Sequence, residues 1–300
     1  MTDSLVSVII PTFNCRNMVL DCLESVKAQT NKPIELIIID SRSSDGTREL
    51  AETYGQVYSF GSDPSHTKIN AVPFKRNLGA SLATGEYLYW FDTDMRMKLD
   101  TVQRCVQAIE KNHADAVIVP EESYGEGFWA QCRRLEKDCY NRNPLSLTDA
   151  ARFLRKQVWD DLGGVDTTLG GPYDYDLQLR LNSAGYRTVK LSDGVLHYEG
   201  NLRLAKHLRK KFEYGTSAMR YLKKHRESKG LLTKQLSVVR ADFLSQGDLL
   251  VKQPVTAAGM LVMKFLEYGA ALCGIAYSQI RREDLRVYAG AGTAVKHPPQ

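Results

Sequence analysis

Two carboxylates separated by one residue, Asp92 and Asp94, follow directly after an apolar run at 87–91. The run has the composition of a buried strand, so the pair is expected at a strand end, where both side chains can reach one cation. Mg²⁺ and Mn²⁺ prefer such oxygen ligands and commonly keep a diphosphate in their coordination shell. Because the motif is short, a solvated acidic turn is the alternative interpretation.

A second polar turn, at 41–47, follows the apolar run that ends at Asp40. A carboxylate at Asp40 can accept the imide N–H of a pyrimidine, and the small residues after it let a planar base approach. The alternative is a helix cap, with Ser43 or Ser44 as the capping residue and Asp45 in the first helical turn.

The elements that must position these residues alternate along the first half of the chain. Strands are predicted at 5–11, 34–40, 56–60, 86–91, 116–120 and 187–191, and helices at 17–29, 48–54, 75–83 and 101–111. Strands spaced in this way with helices between them form βαβ units, so we expect an α/β fold with a mostly parallel sheet covered on both faces. Ligands bind such sheets at the carboxyl ends of the strands, which places the two polar turns at one edge.

Several short motifs follow one another along residues 5–200, about two thirds of the chain. They are VIIPTFN at 8–14, ID at 39–40, SDGT at 44–47, KRNLG at 75–79, ATGEY at 83–87, FDTD at 91–94, LGGVD at 162–166 and DYDLQLR at 174–180. In this order and spacing the chain resembles the family 2 glycosyltransferases, which have the GT-A fold.

The resemblance implies a hexosyltransferase-like enzyme that transfers a sugar, with inversion, from a nucleotide-diphospho-sugar. At the matched positions, Pro11, Thr12 and Asn14 would border the nucleotide. Asp40 would contact the base, and Arg76 would approach the nucleotide or its diphosphate. A UDP-sugar is favoured as the donor, and a GDP-sugar is the other possibility.

The resemblance also implies a divalent cation, Mn²⁺ or Mg²⁺. Asp92 would lie near the ribose or the metal, and Asp94 would bind the metal directly. His197 lies in a region where several GT-A enzymes complete the metal shell with a histidine, and neutral imidazole is a suitable ligand. A hydrogen-bonded structural histidine is the alternative for this residue.

The chain departs from the family pattern at two positions. The general base usually lies in a Glu-Asp pair, but here the pair reads Tyr173-Asp174. We therefore expect Asp174 to take the acceptor proton, with Asp176 as the competitor or as a structural brace. Arg180 is expected to be a structural partner. Arg42 stands where the family often has Gly, which leaves the nucleotide specificity open.

The basic charge of the protein is concentrated near the C-terminus. Residues 201–229 contain ten Lys or Arg and two Glu, whereas the whole chain carries a net charge of only +5. The overall charge does not favour nucleic acid as a ligand. The segment is predicted to be helical, and either it presents a solvated face or it is attracted to an anionic membrane or a polyprenyl phosphate.

A nearly apolar segment, 255–280, follows and carries Lys264 and Glu267 on one side of a predicted helix. A one-sided charge pair favours a helix lying at the membrane surface over one that crosses it. Packing on the catalytic domain or on a partner subunit is the alternative.

Together these features predict a catalytic domain at 1–200 and a basic, amphipathic helical extension at 201–300. Members of the family that it resembles and that build long chains typically carry a Gln-x-x-Arg-Trp motif, and none follows Asp174. The resemblance therefore implies transfer of a single sugar, and we expect a glycan or lipid-linked acceptor of the cell envelope. The N-terminus has no signal-like region and the six Cys form no C-x-x-C pair, which favours a cytoplasmic protein, peripheral at the cytoplasmic face of the membrane. An inactive sugar-nucleotide-binding or scaffold protein is the alternative function. The sugar, the acceptor and the oligomeric state stay open.

Overall fold

The computed structural model describes residues 4–30, 33–61, 68–143, 149–226, 243 and 245–281. Its strands are β1 (Val6–Thr12), β2 (Ile34–Asp40), β3 (Gln56–Ser59), β4 (Tyr87–Trp90), β5 (Met95–Arg96), β6 (Ala116–Ile118), β7 (Glu121–Glu126), β8 (Phe153–Arg155), β9 (Thr188–Lys190) and β10 (Val195–Asn201). Its helices are α1 (Arg16–Lys27), α2 (Thr47–Glu52), α3 (Lys68–Leu82), α4 (Thr101–Asn112), α5 (Gly127–Arg142), α6 (Lys156–Asp161), α7 (Tyr173–Ser183), α8 (Leu204–Lys224), α9 (Gly247–Lys252) and α10 (Pro254–Arg281).

A seven-stranded sheet in the order β3-β2-β1-β4-β8-β6-β9 forms the centre of the fold. The pairs β1–β2, β1–β4, β2–β3 and β6–β9 are parallel, and β8 runs antiparallel to both of its neighbours. The prediction of a mostly parallel α/β sheet is therefore confirmed. A second sheet, in the order β5-β10-β7, was not predicted from the sequence.

Both faces of the main sheet are buried, as the apolar strands predicted. Along β1, Val8 and Ile10 face one cluster, which α1 and α4 complete. Ile9 points to the opposite face, where residues of α3, α6 and α7 pack against it. This alternation follows from the two-residue period of a strand. With both faces covered, a polar ligand can approach the sheet only at its strand ends.

The C-terminal helices pack on one another and on the catalytic part of the chain. α10 lies against α8 and also against α5. Close approach of α8 and α10 requires glycine, since a side chain at Gly215 would collide with the Ala271 carbonyl and one at Gly274 with the Phe212 carbonyl. Both helices were predicted, although residues 227–229 of the predicted basic segment lie outside the described residues. The domain division at residue 200 stays a prediction.

α10 buries its charged side and exposes its apolar side. Lys264 and Glu267 are buried towards α5 and α8, whereas Phe265 is 71% exposed and Ile280 82% exposed. Packing on the catalytic domain, the alternative interpretation of this segment, is thus observed together with an uncovered apolar face. In the part of the chain that the structure describes, Pro254–Ile280 is long and apolar enough to cross a membrane, by length and composition only. Its most apolar 18-residue stretch has a mean hydropathy of 1.4 and is 33% buried.

Candidate functional site

The carboxyl ends of β1, β2 and β4 meet at one edge of the sheet because the three strands are parallel. At this edge, Asp40 is fully buried and ties the loops after β1 and β2 together. One carboxylate oxygen accepts hydrogen bonds from Thr12 Oγ1 at 2.8 Å and Ser43 Oγ at 2.6 Å, and the other accepts from the Ser43 N–H at 2.8 Å. The contact between Asp40 and a base stays a prediction, since both oxygens have partners within the chain.

The loop after β1 is held against the loop after β2 by a reciprocal pair of hydrogen bonds. The Asn14 N–H donates to Ser43 Oγ, and the Ser44 N–H donates to Asn14 Oδ1, both at 2.9 Å. Asn14 and Arg42 have φ values of 43° and 53°, in the left-handed region that favours glycine. Pro11 is buried within β1, whereas Asn14 and Arg42 are exposed at the rim of the edge.

The helix-cap interpretation of the second turn is wrong for both serines. The N-cap position of α2 is Gly46, and the Thr47 N–H donates to Asp45 Oδ1 at 3.0 Å. Ser43 is bound to Asp40 and Ser44 to Asn14, so these two serines join the loops after β1 and β2, and neither caps α2.

Asp92 lies between two arginines. Its Oδ1 accepts from Arg76 Nη2 at 2.6 Å and its Oδ2 from Arg152 Nη1 at 2.7 Å. Burial alone would raise the pKa of Asp92, but the two guanidinium groups outweigh burial and hold this pKa well below its usual range. Arg76 is also held by rings, since its Cζ lies 4.2 Å from the Trp90 ring centroid and 5.1 Å from that of Tyr173. As placed, Asp92 orients two cations, and its predicted role at a ribose or metal stays a prediction.

Further charged residues contact Arg152 and its neighbours, and the sequence did not predict them. Arg152 Nη2 donates to Glu121 Oε1 at 2.7 Å. Glu121 Oε2 lies 3.1 Å from Lys137 Nζ and 3.0 Å from His197 Nδ1. Glu121 directly follows the predicted strand 116–120, so its position after a strand was an available signal. Nothing in the sequence indicates that Lys137 is buried or that Arg152 is half-buried beside Asp92.

Asp94 and His197 lie next to each other on the open side of this cluster. His197 Nε2 is 3.4 Å from Asp94 Oδ2, and the Asp94 side chain is 37% exposed. Burial lowers the pKa of His197, but the hydrogen bonds of Asp94 and Glu121 outweigh burial and raise the pKa to about 10. The ring is therefore an imidazolium at neutral pH in this arrangement, and it must lose a proton before it can bind a metal.

Two of the three predicted metal ligands are thus brought together, while Asp92 faces arginines. The described residues contain no preformed group of three or more His, Cys, Asp or Glu side chains suited to a metal ion. Mg²⁺ is typically bound by one or two carboxylates together with substrate phosphates and waters. The accessible Asp94, with His197 beside it, fits a cation of this kind that arrives with a diphosphate.

Asp174 is the second residue of α7 and is partly exposed. Its Oδ1 accepts a hydrogen bond from the Tyr175 N–H at 2.8 Å. Burial raises the pKa of Asp174 above its ordinary value, and the nearby charges of Arg152 and Arg76 offset only part of that effect. An accessible carboxylate with a raised pKa, beside two cations, has the properties of a general base.

Asp176, the competitor for that role, is fully buried and bound by three side chains. It accepts from Arg180 Nε, Lys224 Nζ and His225 Nε2, each at 2.8 Å. Arg180 also donates to two carbonyl oxygens of the 162–164 turn, both at 2.7 Å. These contacts make Asp176 and Arg180 a brace between α7, that turn and the end of α8.

Two buried polar atoms at this edge have no hydrogen-bond partner among the described residues, Ser41 Oγ and Arg76 Nε. Buried polar atoms without partners are rare in folded proteins and often mark the place of a ligand or water. Ser41 follows Asp40 at the end of β2, and Arg76 approaches Asp92 after β4. The edge therefore fits a polar, anionic ligand that spans the two strand ends.

Comparison with known proteins supports this interpretation. The family model described as "Glycosyl transferase family 2" matches residues 7–163, just over half of the chain. The glycosyltransferase GlyG of Streptococcus pneumoniae is 27% identical over 122 residues, which cover 41% of this chain and 40% of GlyG. An uncharacterized glycosyltransferase of Haemophilus influenzae is 27% identical over 186 residues, 59% of this chain and 62% of the relative. This chain therefore spans less than two thirds of the length of these relatives.

TuaG of Bacillus subtilis, named as a candidate teichuronic acid biosynthesis glycosyltransferase, is 32% identical over 108 residues, 33% of this chain and 40% of TuaG. Among solved structures, the mannosyltransferase PcManGT from Pyrobaculum calidifontis, in complex with GDP-Man and Mn²⁺, has a TM-score of 0.61. The match has 19% identity and covers 91% of this chain and 87% of PcManGT, so it shows a shared fold. The chain belongs to glycosyl transferase family 2 and has the GT-A fold.

Proposed function

We propose that this protein is an inverting glycosyltransferase that moves one sugar from a nucleoside-diphosphate sugar to an acceptor hydroxyl. The observation that carries the proposal is the position of Asp174, a partly exposed carboxylate whose pKa burial raises and the nearby charges of Arg152 and Arg76 partly lower. A single displacement at the anomeric carbon requires a base on the acceptor side of that carbon and cations on its diphosphate side, both within reach of one bound donor. This edge of the sheet meets that requirement.

The donor would lie across the carboxyl ends of β1, β2 and β4. Arg76 and Arg152 supply two fixed positive charges, and Arg76 Nε is a buried donor without a partner among the described residues. Asn14 stands exposed at the rim, where the loops after β1 and β2 could border a nucleoside. A UDP-sugar is favoured as the donor, with a GDP-sugar as the alternative.

Asp174 would take the proton of the acceptor hydroxyl while that oxygen attacks the anomeric carbon from the face opposite the diphosphate. Its raised pKa makes this carboxylate a stronger base than an exposed aspartate. Attack from the opposite face inverts the configuration at that carbon. Asp176 is unsuited to the role because it is fully buried and already bound by Arg180, Lys224 and His225.

Asp94 and His197 would hold a divalent cation, Mn²⁺ or Mg²⁺, close to the diphosphate. When bound, such a cation neutralises charge on the diphosphate that departs. Asp94 is the principal ligand in this proposal because its side chain is accessible, whereas Asp92 already binds two arginines.

A donor-binding measurement tests this proposal. Titration calorimetry of the wild type with UDP and with GDP should show binding that requires Mn²⁺ for at least one of them. Asp94→Ala should lose the Mn²⁺-dependent part, while Asp248→Ala, an exposed aspartate on α9, should bind as the wild type does. Unchanged Mn²⁺-dependent binding in Asp94→Ala would remove Asp94 from the metal site.

The same measurement separates the enzyme from an inactive sugar-nucleotide-binding protein. That alternative rests on the missing Glu before Asp174. Mn²⁺-dependent hydrolysis or transfer of a nucleotide sugar by the wild type would exclude it. Donor binding without any turnover, across UDP- and GDP-sugars, would favour it.

The acceptor is proposed to be a lipid-linked or other cell-envelope glycan, reached by a protein peripheral at the cytoplasmic face of the membrane. The exposed apolar side of α10, with Phe265, Leu272 and Ile280, supports contact with a lipid surface. Arg203, just before α8, and Lys206, on α8, are exposed and could add attraction to anionic headgroups. The charged side of α10 is buried in protein, so the helix would lie on the membrane and not cross it.

Flotation with anionic liposomes tests the membrane proposal. The full-length protein should float at low salt and be partly released at high salt, because headgroup attraction is screened over about 8 Å at physiological ionic strength. Phe265→Glu should reduce flotation more than Gln279→Glu, which adds the same charge at another exposed position of α10. Equal recovery of the wild type in the soluble fraction with and without liposomes would contradict membrane contact.

A further inference from the structure

α8 is fixed near both ends by contacts between its side chains and carboxylates of other elements. Near its C-terminal end, Lys224 Nζ lies 2.8 Å from Asp176 Oδ1 and 2.6 Å from Asp166 Oδ2. Near its N-terminal end, His207 Nε2 lies 2.5 Å from Glu267 Oε1 on α10. The middle of α8 is therefore held in place before any ligand arrives.

Tyr214, in the middle of α8, packs its ring on Gly171, three residues before Asp174. A side chain at Gly171 would overlap the Tyr214 ring, so the close approach requires glycine at that position. Burial raises the pKa of Tyr214, and the carboxylates of Asp174 and Asp92 act in the same direction. Tyr214 is thus within electrostatic reach of the two carboxylates at the centre of the site.

Lys210 lies one helical turn before Tyr214 and reaches over its ring. The Nζ atom is 5.7 Å from the ring centroid, and the residue is solvent-exposed. Tyr214 raises the pKa of Lys210, burial lowers it, and the negative charges of Asp94 and Glu199 raise it further. Lys211 and Lys224 on the same helix reach carboxylates of the protein instead, Glu267 and Asp176.

We propose that Lys210 is a further catalytic residue, whose ammonium contacts the donor diphosphate, and that Tyr214 positions it. This inference rests on the proposed function. In the transfer step the acceptor oxygen bonds to the anomeric carbon as the bond from that carbon to the diphosphate oxygen breaks. The bonding pair goes to the diphosphate, the acceptor proton goes to Asp174, and Lys210 stabilises the added negative charge.

One consequence is that residues of the C-terminal extension complete the site. Arg209, the residue before Lys210, has 82% of its side chain exposed and pairs with Glu213 on the same helix. Two adjacent cations would therefore have different functions, Lys210 at the diphosphate and Arg209 on the outer surface. This difference provides a matched control.

Titration calorimetry with UDP, GDP, UMP and GMP in the presence of Mn²⁺ tests the assignment on the full-length protein. Lys210→Met should weaken binding of the preferred nucleoside diphosphate by about tenfold to a hundredfold, the range for a lost charge-assisted hydrogen bond. Monophosphate binding should change little, and Lys210→Arg should restore most of the diphosphate affinity. Arg209→Met should match the wild type.

Turnover supplies the second measurement. Lys210→Met should lower kcat for nucleotide-sugar hydrolysis or transfer. Tyr214→Phe, which keeps the ring on Gly171 and removes only the hydroxyl, should have a smaller effect on kcat. Thermal unfolding of each variant checks that the fold is retained, and Lys210→Arg provides the test if Lys210→Met is unstable.

Two results would overturn the assignment while leaving the proposed function intact. One is a Lys210→Met variant that binds the diphosphate and turns over as the wild type does. The other is an equal loss in Lys210→Met and Arg209→Met, which would show a general charge effect instead of a contact. A wild type that binds neither UDP nor GDP would instead overturn the proposed function and this inference with it.

Discussion

Two buried charge clusters occupy different regions of this molecule. The catalytic-edge cluster joins strand ends and consists of Arg76, Asp92, Glu121, Arg152 and His197. The C-terminal cluster joins α5, α8 and α10 and consists of Arg133, Glu136, His207, Lys264 and Glu267. Both contain carboxylates whose pKa is held low by neighbouring cations. Perturbed pKa values therefore do not by themselves distinguish a site from a structural network.

The two clusters differ in what they leave available. In the C-terminal cluster, Glu136 accepts from Lys264 at 2.8 Å and from Arg133 at 2.7 Å, and Lys264 also donates to Glu267 at 2.7 Å. The catalytic-edge cluster borders the accessible Asp94, and its Arg76 Nε has no partner among the described residues. An accessible carboxylate and a hydrogen-bond donor without a partner indicate where a ligand binds more clearly than the burial of charged groups does.

β10 connects the two clusters. His197 belongs to the catalytic edge, and Glu199, two residues later on the same face of the strand, lies 3.4 Å from Arg133. Substitutions in the catalytic-edge cluster should affect catalysis, and substitutions in the C-terminal cluster should affect the stability of the fold.

The largest effect is expected at the paired aspartates of α7. Asp174→Asn should keep the fold and donor binding but lower the transfer rate by about 10²–10⁴-fold, because an amide cannot accept the acceptor proton. Asp176→Asn should instead lower the thermal stability, because Arg180, Lys224 and His225 lose a buried anion. Steady-state kinetics and thermal unfolding on both variants provide the comparison. Transfer by Asp174→Asn within a few-fold of the wild type would assign the base to another group.

The next effect concerns the C-terminal cluster. Lys264→Ala leaves Glu136 and Glu267 without their shared cation, and breaking a buried pair in this way typically costs about 3–5 kcal/mol of unfolding free energy. Arg209→Ala, which removes an exposed pair with Glu213, should cost about 0–1 kcal/mol. Denaturant unfolding at pH 7 gives both values. Similar losses in the two variants would show that the C-terminal cluster is not a stabilising unit.

The smallest expected effect is a pH dependence of the stability that the C-terminal cluster contributes to the fold. Burial alone would raise the pKa of Glu136, but Arg133 and Lys264 outweigh burial and lower it to about 2. A carboxyl with a depressed folded pKa contributes stability above its unfolded value, near 4.5, and loses that contribution as pH falls towards 2. At pH 3 the loss should be about 1–2 kcal/mol relative to pH 7.

Glu136→Gln should be less stable than the wild type at pH 7, and the difference should shrink at pH 3. Unfolding free energies of both proteins at the two pH values test this sign. A difference that stays constant between pH 7 and pH 3 would mean that Glu136 does not titrate in this range.

Much of the fold followed from local pattern. The strand predicted at 34–40 is β2 (Ile34–Asp40), because a short apolar run bounded by turn residues is a strong local signal. The second sheet did not follow, since β5 is two residues long and β7 begins with two glutamates. β8 lies between β4 and β6 and runs antiparallel to both, although it follows both of them in the sequence. The positions of strands along the chain do not predict this order.

The sequence by itself determined which side chains stand at the strand ends. Asp40, Asp92 and Asp94 were located there because an apolar strand followed by polar residues has one orientation in a parallel sheet. Asp174 was located by its motif. The same local information could not distinguish Asp174 from Asp176, two residues apart on one helix.

Only the tertiary structure decided which of these charges remain available. Asp92 is occupied by Arg152, 60 residues away, and the charged side of α10 is turned inward because Lys264 meets Glu136, 128 residues away. Buried carboxylates must find cations, and folding brings those cations from distant parts of the chain. Ion-pair partners that lie 60 or 128 residues apart in the chain produce no local periodicity or motif. Only the folded structure therefore shows that Asp92 is bound by arginines while Asp94 and Asp174 stay partly exposed.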